Sequence, residues 1–293
     1  MRKSGISDAV FDTVNVVLML GVCFILVYPI WYVTVISLND ATDAMMGGIY
    51  WWPRVFSLKS YETVFGNKAI FDAFKITILR TLIGTVLHIF FTSMVAYGLL
   101  KRDLVGRKVF LALGTVTLFF AGGLIPYFLV IKKLGLIDNF LVYILPAMFN
   151  FYNLIIFQSF FRELPPELEE SAKLDGANEF RVFVRIILPL SKPVLATMAL
   201  FVGVWHWNDY FTGVIYINKP ALQPIQTFLY RVISETSSSA MLANTAAGRR
   251  STDVSSTSLK LATMVITTAP IVCIYPFLQK YFVKGLLLGS IKG

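Results

Sequence analysis

Trp205-His206-Trp207-Asn208-Asp209-Tyr210 is the densest run of side chains suited to a polar ligand in this chain of 293 residues. Aromatic rings offer apolar faces to the C–H groups of a sugar, and Asn, His and Asp hydrogen-bond its hydroxyls. The run lies inside an apolar segment. An ionisable group at mid-bilayer costs about 2.5–3.5 kcal/mol and therefore turns towards a cavity or a partner. Arg80, with Lys75 and His88 on an earlier apolar segment, is a second candidate set: a basic path suited to an anionic ligand. Two readings stay open at each place. The 205–210 run is either a sugar-contacting stretch of a translocation path or an outer aromatic belt with polar packing groups. Arg80 either lines that path or pairs at a subunit interface, while Lys75 reaches the surface by snorkelling.

A third constellation is polar. Pro165 to Pro189 reads PPELEESAKLDGANEFRVFVRIILP. Its prolines suit a first helical turn, and Glu167, Glu169 and Glu170 suit a positive helix N-terminus. Gly176 can take the left-handed conformation that ends a helix. Asn178 can cap the next one, with Glu179 in its first turn. The spacing predicts a short surface helix, a sharp turn and a second helix.

The segments that must position these groups are membrane spans. Hydrophobic residues make up 56% of the chain and charged residues 15%, against about 25% charged in soluble domains; the mean hydropathy is +0.70. The fold class expected is an all-α membrane protein with six transmembrane helices, since a β-barrel would show short alternating segments. The spans are expected at about 14–38, 76–100, 109–131, 140–161, 193–216 and 259–282. The polar constellation forms a loop at 162–192, and a long outer loop runs over 218–258. The short loop with Lys101, Arg102, Arg107 and Lys108 is basic and therefore cytoplasmic. Counting crossings puts both termini and the 162–192 loop on that side. The net charge of +9 follows from such loops and gives no reason to expect nucleic acid. Gly122-Gly123 and Pro126 in the third span either open as a gate or allow close packing. Cys23 and Cys273 lie in apolar runs and offer neither a disulfide framework nor metal-ligand spacing.

Motifs for chemistry are missing. The chain has no G-x-x-x-x-G-K-[ST] phosphate loop, no H-E-x-x-H and no G-x-S-x-G. It is therefore expected to be non-catalytic. A stand-alone transporter driven by an ion gradient is the alternative; it would predict repeated halves with broken helices in matching positions.

Glu170-Ser171-Ala172, three residues, Gly176, nine residues, then Ile186-x-Leu188-Pro189 resembles the EAA motif of the permease subunits of binding-protein-dependent ABC importers. Ser171 stands where that motif has a second small residue, Ala. Trp52-Pro53, Gly122-Gly123-Leu124-Ile125-Pro126, Leu134-Gly135-Leu136, Trp207-Asn208 and the tail Lys284-Gly285 to Lys292-Gly293 resemble the carbohydrate-type members. The overall likeness is greatest to the smaller permease of bacterial alginate importers. The resemblance implies a type I importer fold in the bacterial inner membrane. It implies a second permease subunit, two ATPase subunits, a periplasmic solute-binding protein that delivers an oligosaccharide, and a surround of membrane lipid. ATP and Mg would belong to the ATPase, with no cofactor in this chain. It also implies that the 162–192 loop is the coupling helix, with Glu170, Ala172 and Gly176 as motif core, and Glu169, Ser171, Lys173, Leu174 and Asp175 beside them among the residues that couple to the ATPase.

Overall fold

The computed structural model describes residues 6–243 and 260–274. Its elements are helices: α1 Ile6–Ser37, α2 Ala41–Ala44, α3 Lys59–Gly66, α4 Lys68–Gly98, α5 Arg107–Phe119, α6 Leu124–Lys133, α7 Phe151–Phe161, α8 Glu167–Leu174, α9 Glu179–Val182, α10 Leu188–Leu190, α11 Lys192–Asn208, α12 Phe211–Tyr216, α13 Ile225–Ala243 and α14 Lys260–Ile274. Short tight turns of helix join some of them, at Phe140–Tyr143 and Leu145–Ala147. Among the described residues there is no β-sheet, only a single bridge between Asn39 and Phe56.

The chain divides into two compact units. The first takes residues up to Lys68 together with Arg231–Ala269. Within it α1 is strongly apolar from Val16 onwards, and Phe11, Leu18, Ile25 and Leu26 are all more than half exposed. An uncovered helix surface of this kind belongs against lipid or another apolar helix. The loop after α1 is held by Asn39, which donates to Asp43 Oδ2 at 2.9 Å and accepts from the Val55 N–H at 2.9 Å. Arg54 pairs with Asp43 at 3.0 Å.

The second unit takes Ala69–Tyr230 and the residues from Pro270. Its organising element is α4. The buried side of α4 carries Ala73, Thr77, Arg80, Gly84, His88, Thr92 and Ala96, a stripe at helical spacing. One apolar cluster joins this helix to α7 and α11 around Tyr97, Phe157, Phe183 and Met198. Another joins it to α6 and α12 around Ile76, Ile131, Tyr143 and Tyr216.

The structure departs from six uninterrupted spans. Val10–Ser37 and Lys68–Gly98 are long and apolar enough to cross a membrane unbroken, whereas Phe140–Ala147 with Phe151–Phe161 bends by 48° and Glu179–Leu190 with Lys192–Asn208 by 82°. The third expected span, 109–131, is split between α5 and α6, because Gly123 sits at φ 81°, ψ 172°, a region open to Gly alone. The fifth, 193–216, breaks at Asp209, which is extended and whose Oδ1 accepts from the Thr212 N–H at 3.1 Å. The outer loop expected over 218–258 contains α13. Ile225, Phe228, Leu229, Val232 and Ile233 recur at helical spacing there, a pattern hidden by the polar residues among them. The second span starts earlier than expected, at Lys68. Residues 244–259 of the expected outer loop, and Lys280, Lys284 and Lys292 of the expected tail, lie outside the described residues.

Candidate functional site

The helix breaks of the second unit border one cleft of about 760 Å³. Gly122 and Gly123 border it from the α5–α6 break, Ala147 and Asn150 from the turn before α7, and Asp209 from the α11–α12 break. Irregular backbone at membrane depth is tolerated where it is buried in protein or lines a cavity. The cleft wall mixes aromatic rings, Tyr127, Tyr143, Tyr152 and Trp205, with the polar groups of His88, Asn150, Asn153, Asp209 and Thr212. Such a mixture can stack on a sugar ring and bind its hydroxyls.

Side chains of α4 hold two of these breaks, the one between α11 and α12 and the turn before α7. Arg80, fully buried, pairs with Asp209 at 3.3 Å and also donates to the Asp209 carbonyl. Its guanidinium lies over the Tyr143 ring, 5.0 Å from the centroid. His88 donates from Nδ1 to the Ala147 carbonyl at 2.6 Å and accepts at Nε2 from Asn153 Nδ2 at 2.8 Å. Thr92 donates to the Met148 carbonyl at 3.1 Å. Thr77 accepts the first amide of α13, from Ile225, at 2.8 Å. Each contact satisfies a backbone or charged group that a broken span would otherwise leave exposed to hydrocarbon.

The structure separates the 205–210 run. Trp205 and Asp209 line the cleft. His206 and Trp207 are buried; His206 packs so closely on α4 that a Cβ at Gly84 would overlap its ring. Asn208 donates to the Val204 carbonyl at 3.0 Å on an exposed face. Tyr210 stacks on Tyr230 with ring centroids 5.0 Å apart. Arg80 stands behind the wall, joined to Asp209, and Lys75 is exposed away from it. Tyr143, Asn150 and Asn153 were not singled out by sequence. Asn150 carries one usable signal, a capping residue in front of an apolar helix.

The 162–192 loop forms a second constellation. Gly176, at φ 81°, closes α8, with its N–H donating to Lys173 and the Ala177 N–H to Ala172; this pairing is a Schellman cap. Asn178 caps α9 by accepting from the Arg181 N–H at 2.8 Å. The chain then widens into a π turn over Phe183–Ile187, just before Pro189, which has no N–H to continue the α ladder. Leu164, Ala172 and Ala177 face the apolar cluster, while Glu170, Ser171, Leu174 and Asp175 are exposed.

Glu169 and Lys173 have partners within the chain. Lys101 pairs with Glu169, and with Glu179 at 3.0 Å; Lys173 pairs with Glu169 at 2.8 Å and with Glu179 at 2.6 Å. The Tyr97 hydroxyl donates to Glu179 at 2.8 Å. Burial pushes the Glu179 carboxyl up, but hydrogen bonds from Lys173, Tyr97 and Lys101 outweigh it and bring it down to about 2. Burial likewise opposes, and hydrogen bonds from Lys101 and Lys173 overcome, at Glu169, which is held below its usual range. Hydrogen bonds to Glu169 and then Glu179 raise Lys173.

Comparison with known proteins agrees with this architecture. The family model described as "Binding-protein-dependent transport system inner membrane component" matches residues 1–287. Protein LplC of Bacillus subtilis is 42% identical over 97% of this chain and 95% of its own length. The polygalacturonan/rhamnogalacturonan transport system permease protein YtcP of the same organism is 38% identical over 98% and 99%. A chain from the crystal structure of a bacterial ABC transporter involved in the import of the acidic polysaccharide alginate superposes with a TM-score of 0.85, at 29% identity, over 96% of this chain and 100% of that one. Dependence on a binding protein replaces the alternative of a stand-alone ion-driven transporter. ATP hydrolysis in such a system belongs to a separate subunit. The chain belongs to the binding-protein-dependent transport system inner membrane components, with the type I permease fold, and is a permease subunit of a carbohydrate ABC importer.

Proposed function

We propose that this subunit forms half of the path for an acidic oligosaccharide, a uronate oligomer of the alginate or polygalacturonate kind, and that α8 with its flanking turns is the coupling element docked on the ATPase. The observation that carries the substrate reading is the cleft bounded by the helix breaks, with Trp205 and Tyr152 as exposed aromatic surfaces and the buried Arg80–Asp209 pair behind its wall. Its volume falls within the range of about 300–1,000 Å³ typical of ligand pockets. Arg80, fully buried behind that wall, lends the cleft a positive charge partly offset by Asp209. Likeness to YtcP and to the alginate importer chain supports the acidic class.

In this reading the 162–192 loop and both termini are cytoplasmic. The support is that Lys101, from the basic loop, is tied directly to α8 and α9. The exposed Glu170, Ser171, Leu174 and Asp175 then meet the ATPase, while Ala172 and Gly176 set the angle of the helix. A second permease, two ATPase subunits and a periplasmic binding protein complete the importer.

The test is ATPase activity of the importer reconstituted with its binding protein, screened against acidic and neutral oligosaccharides. Stimulation by alginate or polygalacturonate oligomers is expected. Stimulation by neutral sugars alone would remove the acidic reading. Gly176→Val tests the coupling element: the left-handed backbone disfavours a β-branched residue by about 1–2 kcal/mol, so the subunit should insert but hydrolyse ATP without import.

A further inference from the structure

We propose that Lys101 is a positioning residue that fastens the coupling element to α4, so that displacement of α8 moves the cleft wall through that helix. The proposal rests on the coupling reading of α8 given above. Lys101 donates to Glu169 of α8, to Glu179 at the start of α9 at 3.0 Å, and to the Tyr97 hydroxyl at 2.8 Å. Its ammonium also lies over the Tyr97 ring, 4.2 Å from the centroid. One half-buried cation therefore touches three segments. Lys173 closes the arrangement from the outer side of α8.

The apolar contacts of α8 cannot do this alone. Leu164, Ala172 and Ala177 seat the loop on the core, but non-directional packing of small side chains leaves a short helix free to rock. Charged groups on two separate helices, bound to one ammonium, fix direction as well as distance. The base is itself anchored: Arg107 Nε donates to the Leu99 carbonyl at 2.7 Å, closing the turn that carries Lys101. At the other end α4 holds Asp209 through Arg80. The helix between Arg80 and Gly98 is unbroken, about 27 Å of rigid rod at about 1.5 Å per residue. It joins one ionic clamp at the coupling element to another at the cleft.

The experiment measures import of alginate or polygalacturonate oligomers per ATP hydrolysed by the complete importer in liposomes. Lys101→Met should hydrolyse ATP and import at least about 5-fold less per ATP, the lower end of measured coupling energies. Lys101→Arg, which keeps both ion pairs, should stay within about 2-fold of the parent on the same scale. A merely structural role would lower both activities together and leave their ratio unchanged, which would overturn the proposal. If Lys101→Met does not assemble, the combination Lys101→Met, Glu169→Gln, Glu179→Gln removes the carboxylates left with Lys173 as their one cation among the described residues and decides the matter: a parental ratio there overturns the proposal, a low one supports it. Gly176→Val measured alongside separates the two readings. Normal import by Gly176→Val removes the coupling element altogether. Uncoupling by Gly176→Val with a parental ratio in Lys101→Met removes the clamp alone.

Discussion

Arg80 and Asp209 form the one ion pair described between α4 and the break that separates α11 from α12, with Nη1 3.3 Å from Oδ2 and the guanidinium also bound to the Asp209 carbonyl. Asp209 in turn accepts from the Thr212 N–H in the first turn of α12, so the pair fixes where the fifth span is interrupted. Removing one partner of a buried pair strands the other charge, at about 3–5 kcal/mol. Arg80→Met is therefore expected to melt at clearly lower temperature than the parent, by differential scanning fluorimetry of the purified importer. The double variant Arg80→Met, Asp209→Asn should regain most of that loss without regaining import of acidic oligosaccharide. Identical melting of Arg80→Met and the parent would show that the pair does not hold the break.

Gly84 is required by the crossing of α4 and α11, because its missing side chain is the space occupied by the His206 ring. Overfilling a packed contact costs about 1–3 kcal/mol. Gly84→Val should lower the melting midpoint, and adding His206→Ala should restore part of it. If the two changes are simply additive, the two residues do not compete for the same space.

Sequence made some of this legible and hid the rest for identifiable reasons. Gly176 and Asn178 announced the α8–α9 turn because their side chains, or lack of one, act on neighbouring backbone. The break at Gly123 was visible only as a choice between gate and close packing, since a glycine pair does not say whether its freedom is used. The 205–210 run looked like one site because adjacent residues share a sequence address; on a helix they point different ways, and His206 went to α4 while Trp205 went to the cleft. Lys101 read as one more basic residue in a cytoplasmic loop. Its role depends on Glu169 and Glu179, which only the folded chain brings to it.

The Lys101–Glu169–Lys173–Glu179 cluster sets a pH window. The carboxyls of Glu169 and Glu179 lie below their ordinary value of 4.5, Glu179 at about 2. Their contribution is complete above about pH 4.5 and is lost as pH falls through the folded values. Lys173 is raised above 10.5, so its contribution is complete below that pH and fades only above it. The attachment of α8 should thus be constant through neutral pH and loosen in acid. Leu174 is 89% exposed, so a spin label at Leu174→Cys, with Cys23 and Cys273 replaced by Ser, reports the helix. Its mobility should be flat from about pH 5 to pH 9 and rise below about pH 4. A change centred near neutrality would mean that other groups hold the helix.

Thr77 sets the start of α13. Its hydroxyl donates to the Ala73 carbonyl at 2.9 Å and accepts from the Ile225 N–H at 2.8 Å, both in fully buried surroundings. The first amides of a helix have no partner within the helix, and an unsatisfied buried donor costs about 1–3 kcal/mol. Thr77→Val keeps the shape and removes the acceptor, whereas Thr77→Ser keeps the acceptor. Hydrogen exchange followed by mass spectrometry should show the peptide that begins α13 exchanging about ten-fold faster or more in Thr77→Val, with Thr77→Ser close to the parent. The 162–192 loop, which shares no contact with this site, should exchange at its parental rate in both variants. Faster exchange throughout the protein would point to global loss of stability and would refute a local role for Thr77 at the start of α13.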